Sequence, residues 1–358
     1  MYAVDLFCGA GGLSVGLEMA GFRCICAVER DADAADTYSS AHPHCVLHRT
    51  KVEELHFGHL RGEVHLVAGG PPCQPFSSGG KRLGPSDERD MIPEFLRVVR
   101  EVGPLMVLME NVPGLVAAES GKYLGALLHE LEGMGYATST QVLSAAAFGV
   151  PQRRRRLFVA GSRIAGVSFP VATHGPGTSR PYIVAGEVLD AAHPMGEPNT
   201  SKVVYAKRPD IRPSPYDGHL FNGGGRPINP SDLSPTVLAS AGGNKTPFLD
   251  PLGMVPVYHR ELLRGGPPRE GQVPGARRIT AEEAACLQTF PRDYVFAGSR
   301  SSRYRQVGNA VPPLLAYHVG RALFGLLCGD SGQSGVAQGS DKAVGQLHAA
   351  LDPVEQFV

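Results

Sequence analysis

The chain has 358 residues, 42% of them hydrophobic, and its 34 Lys+Arg are balanced by 34 Asp+Glu. That length buries a large core as two domains or one big one. No run approaches the roughly 20 apolar residues of a membrane-spanning helix. The seven cysteines lack the regular spacing of a disulfide framework.

The first residues enter a strand-like stretch, Tyr2 to Phe7, with no basic segment leading into an apolar one. A secretory signal is therefore not expected, and the cytoplasm is the expected compartment. Neutral overall charge conceals an asymmetry: residues 1–150 hold 11 Lys+Arg against 18 Asp+Glu, whereas residues 151–325 hold 22 against 12. A basic second half suits a polyanion, although a solvated basic face would look the same.

In chain order, Ala3 to Phe7 predicts a short strand, followed by a Gly-rich turn and a helix to Ala20. A second strand runs from Cys24 to Val28 and a helix from Asp31 to Ser40. Buried-type strands follow at Val64–Ala68 and Leu105–Met109. Leu124, Leu127, Leu128 and Leu131 keep the i, i+3, i+4, i+7 spacing of an amphipathic helix. One more strand covers Leu157–Ala160. Strands alternating with helices predict an α/β, doubly wound, mostly parallel sheet.

From about residue 162 to 275 Pro and Gly become dense and helical periodicity fades, which predicts a smaller, loop-rich second domain. Thr280 and Glu283 then form a capping box that opens a helix through Gln288. Pro312-Pro313 precedes an apolar helix from Leu314 to Leu327. The expected division is 1–165 plus 277–328 for one domain and 166–276 for the other. The Gly/Ser/Gln-rich stretch 329–358 is expected to lack a core.

Four stretches carry chemistry. Phe7-Cys8-Gly9-Ala10-Gly11-Gly12 follows the first strand, where doubly wound sheets bind cofactors and glycine lets the backbone approach a ligand. Glu29 ends the second strand beside Arg30, where a carboxylate can accept from both hydroxyls of a ribose. This is not the G-x-G-x-x-G of dinucleotide enzymes, and a nucleoside without a pyrophosphate fits better; a plain tight turn is the competing explanation. Gly69-Gly70-Pro71-Pro72-Cys73-Gln74 follows the Val64–Ala68 strand and holds a thiol on a stiffened, exposed loop suited to nucleophilic attack. Behind it, Ser77 to Gly84, with Lys81 and Arg82, is small, basic and lid-like. A lone cysteine is more often inert core, but not between two prolines and a glutamine. Glu110-Asn111-Val112-Pro113-Gly114 places a carboxylate at the next strand's end. In Gln152-Arg153-Arg154-Arg155-Arg156, period-two alternation puts Gln152, Arg154 and Arg156 on one face.

Together and in this order, these stretches closely resemble the conserved blocks of the DNA (cytosine-5) methyltransferases. FCGAGG is similar to the S-adenosylmethionine block and Glu29 to its ribose-binding acid. PPCQPFS resembles the nucleophile block, ENVPG the glutamate block and QRRRR the Q-x-R-x-R block. Arg278 to Pro291 and Gln306 to Pro313 resemble the last two blocks, the latter returning to complete the cofactor pocket. The resemblance covers about 1–165 and 277–325. One stretch departs from it: where the family often has an acid for the adenine amino group, His48-Arg49-Thr50-Lys51-Val52 has no carboxylate.

The resemblance implies a Rossmann-like catalytic domain, a target-recognition domain, and methylation of a flipped cytosine in double-stranded DNA. Cys73 would attack carbon-6, with Glu110 on ring N3 and Arg156, backed by Arg154, on the carbonyl oxygen. Phe7, Gly9, Ala10, Gly11, Gly12, Glu29, Arg30, Pro72, Asn309 and Ala310 would hold S-adenosylmethionine. Gln74, Ser77, Lys81, Arg82, Gln152 and Thr236 would meet DNA. No metal and no membrane is implied, and a cognate restriction enzyme is a conceivable companion. An RNA cytosine-5 methyltransferase is the nearest alternative, but its Cys-Phe-Thr stretch is missing. A catalytically silent DNA-binding relative has no chemical reason to retain Cys73, Glu110 and Arg156 together. A nicotinamide oxidoreductase fits the sheet but leaves PPCQ and QRRRR unexplained.

Overall fold

The computed structural model describes residues 1–72, 90–206, 209 and 225–329. Cys73, Gln74, Ser77, Lys81 and Arg82 lie outside the described residues, as does most of 329–358.

Two compact units emerge. The first comprises Met1–Phe148, Arg155–Thr173 and, of the described residues, 310–329. The second comprises Gly149–Arg154 and His174–Asn309. The segment 277–309, expected with the catalytic domain, thus groups with the second unit. Its contacts explain why: Ile279 N–H donates to Pro247 O at 3.1 Å, and Arg278 donates to Thr246 O at 2.6 Å.

The first unit is built on seven strands: β1 (Tyr2–Leu6), β2 (Arg23–Val28), β3 (Val46–His48), β4 (Leu66–Gly69), β5 (Met106–Asn111), β6 (Ala137–Ser144) and β7 (Arg155–Ser162). They lie in the order β3-β2-β1-β4-β5-β7-β6. All neighbours are parallel except those of β7, which runs against both β5 and β6. The doubly wound α/β class expected from the alternating pattern is thereby realised. Its central strands are short and wholly buried, as parallel strands covered on both faces require. Strand order reverses between β1 and β4, the kind of switch point at which doubly wound sheets bind their ligands.

The helices of this unit are α1 (Gly12–Met19), α2 (Ala32–Ala41), α3 (Ile92–Val102), α4 (Lys122–Gly133) and α8 (Pro313–Leu327). In α3 the buried Ile92, Phe95, Leu96, Val99 and Val102 form one stripe, and Gly103 closes the helix in the left-handed conformation. That stripe joins Val67, Val107, Val159 and the α4 leucines Leu124, Leu127 and Leu131 in the main core. α8 begins with proline at its first position and buries Leu315, Ala316, Val319 and Leu323. Arg300–Leu327 is apolar and long enough on composition to cross a membrane. However, α8 packs on α1 so closely that a Cβ at Gly16 would lie 2.4 Å from Ala316 Cβ, the contact of a core helix.

The second unit carries β8 (Pro227–Ile228), β9 (Phe248–Leu249) and β10 (Arg277–Arg278) in a small sheet with β9 central. Its helices are α5 (Met254–Leu263), α6 (Ala281–Leu287) and α7 (Arg300–Asn309). Val203, Tyr205, Phe248, Val255, Tyr258, Leu262 and Val273 form its core. The Thr280–Glu283 capping box is present: Glu283 N–H donates to Thr280 Oγ1 at 3.0 Å and Thr280 N–H to Glu283 Oε2 at 2.8 Å. Arg277 clamps the same carboxylate bidentately at 2.8 and 2.9 Å. α5 corrects the expectation of a helix-free stretch, because its Val255, Tyr258 and Leu262 recur at helical spacing among the turns.

Candidate active site

The register of the parallel strands aligns their carboxyl ends, with Leu6 of β1 opposite both Val28 of β2 and Gly69 of β4, and Gly69 opposite Met109 of β5. The Gly-rich turn, Glu29, Gly70–Pro72 and Glu110 therefore leave the sheet in one row. β7 runs the other way, so its first residues, Arg155 and Arg156, begin at this same end.

In the turn after β1, Phe7, Gly9 and Gly11 all have positive φ, at 58°, 55° and 87°. Gly11 N–H donates to Cys8 O at 2.9 Å, and Gly11 caps α1 in a conformation that glycine adopts without strain. Glu29 fixes the turn from the side: Oε2 accepts from Gly9 N–H at 2.9 Å and Oε1 from Asp31 N–H at 2.7 Å. Each oxygen keeps a further lone pair. Arg30 beside it is exposed. Ala10 and Gly12 are buried in the turn, while Pro72 is half-buried.

Beneath the turn, Asp5 is fully buried and accepts from Ser14 Oγ at 2.6 Å, and Ser14 Oγ lies 2.8 Å from the Tyr38 hydroxyl. Burial, against the opposing Ser14 hydrogen bond and with Glu29 nearby, lifts the Asp5 carboxyl to about 7. Burial likewise pushes the thiols of Cys8 and Cys24 well up, and those of Cys26, Cys45 and Cys286 to about 12, 11 and 12. These five stay protonated thiols rather than nucleophiles.

Glu110, 8% exposed, stands opposite Phe158 across the β5–β7 pair, so Arg156 is its diagonal same-face neighbour. Arg156 Nε lies 2.7 Å from Glu110 Oε1. The contact is an ion pair without hydrogen-bond alignment, and Oε1 accepts no hydrogen bond among the described residues. The other oxygen faces Gly70, where a Cβ would come within 3.2 Å of Oε2. Asn111 completes the corner by donating its side-chain N–H to Pro71 O at 3.1 Å, and Met91 N–H donates to Pro72 O at 3.1 Å. The backbone entering Cys73 is thus tied to the strand end that carries Glu110. Asn111 was not singled out from the sequence, although its place after Glu110 in the ENVPG block was the available signal.

Three of the expected site residues are tied to backbone or side chains of the second unit. Gln152, expected to meet DNA, is fully buried: its Oε1 accepts from Val237 N–H at 3.1 Å, and its Nε2 donates to Leu287 O at 3.2 Å and Gln288 Oε1 at 3.3 Å. Arg154, 1% exposed, donates to Gly308 O at 2.9 Å and Val237 O at 3.4 Å. It joins three segments of the second unit instead of standing behind Arg156. Thr236, expected to meet DNA, gives its hydroxyl proton to Arg153 O. The alternation itself survives in burial, with Arg154 buried, Arg155 exposed and Arg156 between. Asn309 is exposed at the end of α7 and Ala310 is half-buried after it.

A reversed-order parallel sheet with its last strand antiparallel, carrying a glycine turn and a buried acid at its carboxyl end, is the fold of a methyltransferase. A mutant form of Spodoptera frugiperda DNMT2 shares it with a TM-score of 0.68 at 17% identity, covering 90% of this chain and 99% of that one. S. pombe Dnmt2 methyltransferase does so at 0.65 and 18%, covering 93% and 99%. The family profile for C-5 cytosine-specific DNA methylase matches residues 1–174 and 239–325. Type II methyltransferase M1.HphI of Haemophilus parahaemolyticus is 33% identical, across 89% of this chain and 86% of its own. Type II methyltransferase M.PspPI of Psychrobacter sp. (strain TA137) is 32% identical, across 90% and 79%. The chain belongs to the C-5 cytosine-specific DNA methylase family. It is a DNA cytosine methyltransferase, which takes a methyl donor and a DNA substrate.

Proposed function

We propose that the protein methylates carbon-5 of a flipped cytosine within a specific DNA sequence, through a covalent bond from Cys73 to carbon-6. The observation that carries this reading is Glu110: a buried carboxylate whose Oε1 is ion-paired with Arg156 but accepts no hydrogen bond among the described residues, next to Asn111, which holds Pro71 O.

Carbon-5 of cytosine is a weak nucleophile. Addition of the Cys73 thiolate to carbon-6 turns the ring into an enamine whose carbon-5 can accept a methyl group. Glu110 would hydrogen-bond ring N3 and the exocyclic amine and stabilise the charge that develops on addition. Arg156 would hold that carboxylate and meet the carbonyl oxygen at position 2. Loss of the carbon-5 proton then releases the thiolate. The target must leave the duplex for these contacts, so base flipping is part of the proposal.

S-adenosylmethionine is the methyl donor that the residues fit, and when bound it would supply the electrophilic methyl group. Glu29 has lone pairs for ribose hydroxyls, the Phe7–Gly12 turn offers a close backbone approach, and Arg30, Pro72 and Ala310 would add to the binding of the donor. Lys81, Arg82, Gln74 and Ser77 would meet DNA, and the 166–276 region would select the sequence. Relatives are named type II methyltransferases, and a cognate restriction enzyme would be a companion in keeping with that name. Bisulfite sequencing of DNA from cells expressing the protein tests the reading. It predicts protected cytosines in one sequence context, lost in Cys73→Ser; unmodified DNA with the intact enzyme would overturn it.

A further inference from the structure

Away from the methylation site, at the far ends of α1 and α2, a carboxylate and two imidazoles converge. Glu18 lies in the last turn of α1, and His42 is the C-cap residue of α2. His42 Nδ1 is 3.0 Å from Glu18 Oε2, and His44 Nε2 is 2.7 Å from Glu18 Oε1. One donor atom from each residue falls within 4.8 Å of the others. From this juxtaposition we infer that Glu18, His42 and His44 form a binding site for a zinc-like divalent cation.

Three independent features favour a cation there. The first is the donor set: two imidazole nitrogens and one carboxylate oxygen suit zinc and its borderline neighbours, not magnesium or calcium, which prefer all-oxygen shells. Zinc needs donors about 2.0–2.2 Å from the metal, and the observed separations require only small side-chain adjustments to reach that.

The second is preorganisation. His42 is 2% exposed, and its ring packs on Tyr38 with centroids 4.4 Å apart and planes tilted by 32°. Pro43 stiffens the His42-Pro43-His44 turn, and Cys45 N–H donates to His42 O at 3.0 Å, which closes it. Only His44 and part of Glu18 reach solvent, which leaves room for water as the remaining ligand.

The third is the local field. Two helix C-termini carry partial negative charge to the same place, and neither helix has a basic residue in its last turn. A carboxylate in the last turn of α1 is unfavourable unless positive charge compensates it. Arg321 reaches the α1 terminus at Ala20 O, 3.4 Å away, but has no contact with Glu18 among the described ion pairs.

Bound cation would cross-link the far ends of two helices whose near ends carry the Gly11 turn and the Asp31 cap next to Glu29. Its direct consequence is added stability of the first unit. The test is isothermal titration of the chelator-stripped full chain with zinc chloride, together with thermal unfolding with and without zinc. The inference predicts about one equivalent bound and a raised unfolding midpoint, with affinity weakened roughly tenfold or more in His44→Ala and in Glu18→Gln. Cys45→Ser should bind as the parent does. No binding by the parent, parent-like affinity in both His44→Ala and Glu18→Gln, or loss confined to Cys45→Ser would overturn it.

Discussion

Glu110 combines burial, an ion pair with Arg156 and an oxygen that accepts no hydrogen bond among the described residues, which leaves hydrogen-bonding capacity for a substrate. Glu110→Gln keeps the shape and removes the charge. It should lower methyl transfer by roughly a hundredfold or more while DNA binding persists, as single-turnover rates and a gel-shift assay would show. Undiminished turnover would remove Glu110 from the chemistry. Asp5 offers a second check, through stability. Its carboxyl is raised to about 7 from an ordinary 3.8, so the native state retains a proton that the unfolded chain has already released. Stability is therefore greatest below that window and falls as pH rises through it, by at most ~1.4 kcal/mol per pH unit. Urea denaturation from pH 5 to 8 should show this slope in the parent and a flatter profile in Asp5→Asn.

At the scale of elements, close backbone approaches carry the argument. The α1–α8 contact leaves no space for a side chain at Gly16, where a Cβ would sit 2.4 Å from Pro313 O. Gly16→Ala should cost about 2 kcal/mol in chemical denaturation by forcing the helices apart. Gly70 has a milder restriction, 3.2 Å from Glu110 Oε2, so Gly70→Ala should reduce kcat by displacing the carboxylate and leave the unfolding midpoint nearly unchanged.

Much of this architecture was legible in the sequence. Buried parallel strands read as short apolar runs, and the amphipathic spacing of α4 and the Thr280 capping box named their own helices. What escaped was structure without that signature. β6, Ala-Thr-Ser-Thr-Gln-Val-Leu-Ser, is a partly exposed edge strand with too few apolar residues to register. α5 starts after Gly253 in a Pro- and Gly-rich stretch that masks its helical spacing. In the candidate site, Glu110, Arg156 and Glu29 could be placed because strand ends and period-two alternation predict them. Gln152, Arg154 and Thr236 could not, since their partners Gln288, Gly308, Val237 and Arg153 include residues up to 154 positions away.

For the molecule as a whole, residues 151–325 hold 22 Lys+Arg against 12 Asp+Glu, and the proposed function predicts that this excess meets DNA phosphates. Affinity for non-cognate duplex should fall steeply with salt, each neutralised phosphate contributing about 0.9 to the slope of log K against log salt. A salt-independent affinity would contradict a phosphate-binding basic surface. The central claim, that Cys73 bonds to carbon-6 of the target cytosine, is tested most directly with cognate DNA containing 5-fluorocytosine and S-adenosylmethionine. Fluorine at carbon-5 blocks the final elimination, so denaturing electrophoresis and peptide mass spectrometry should find a stable protein–DNA adduct on Cys73, absent from Cys73→Ser. No adduct under conditions of turnover, or an adduct on another residue, would contradict the mechanism.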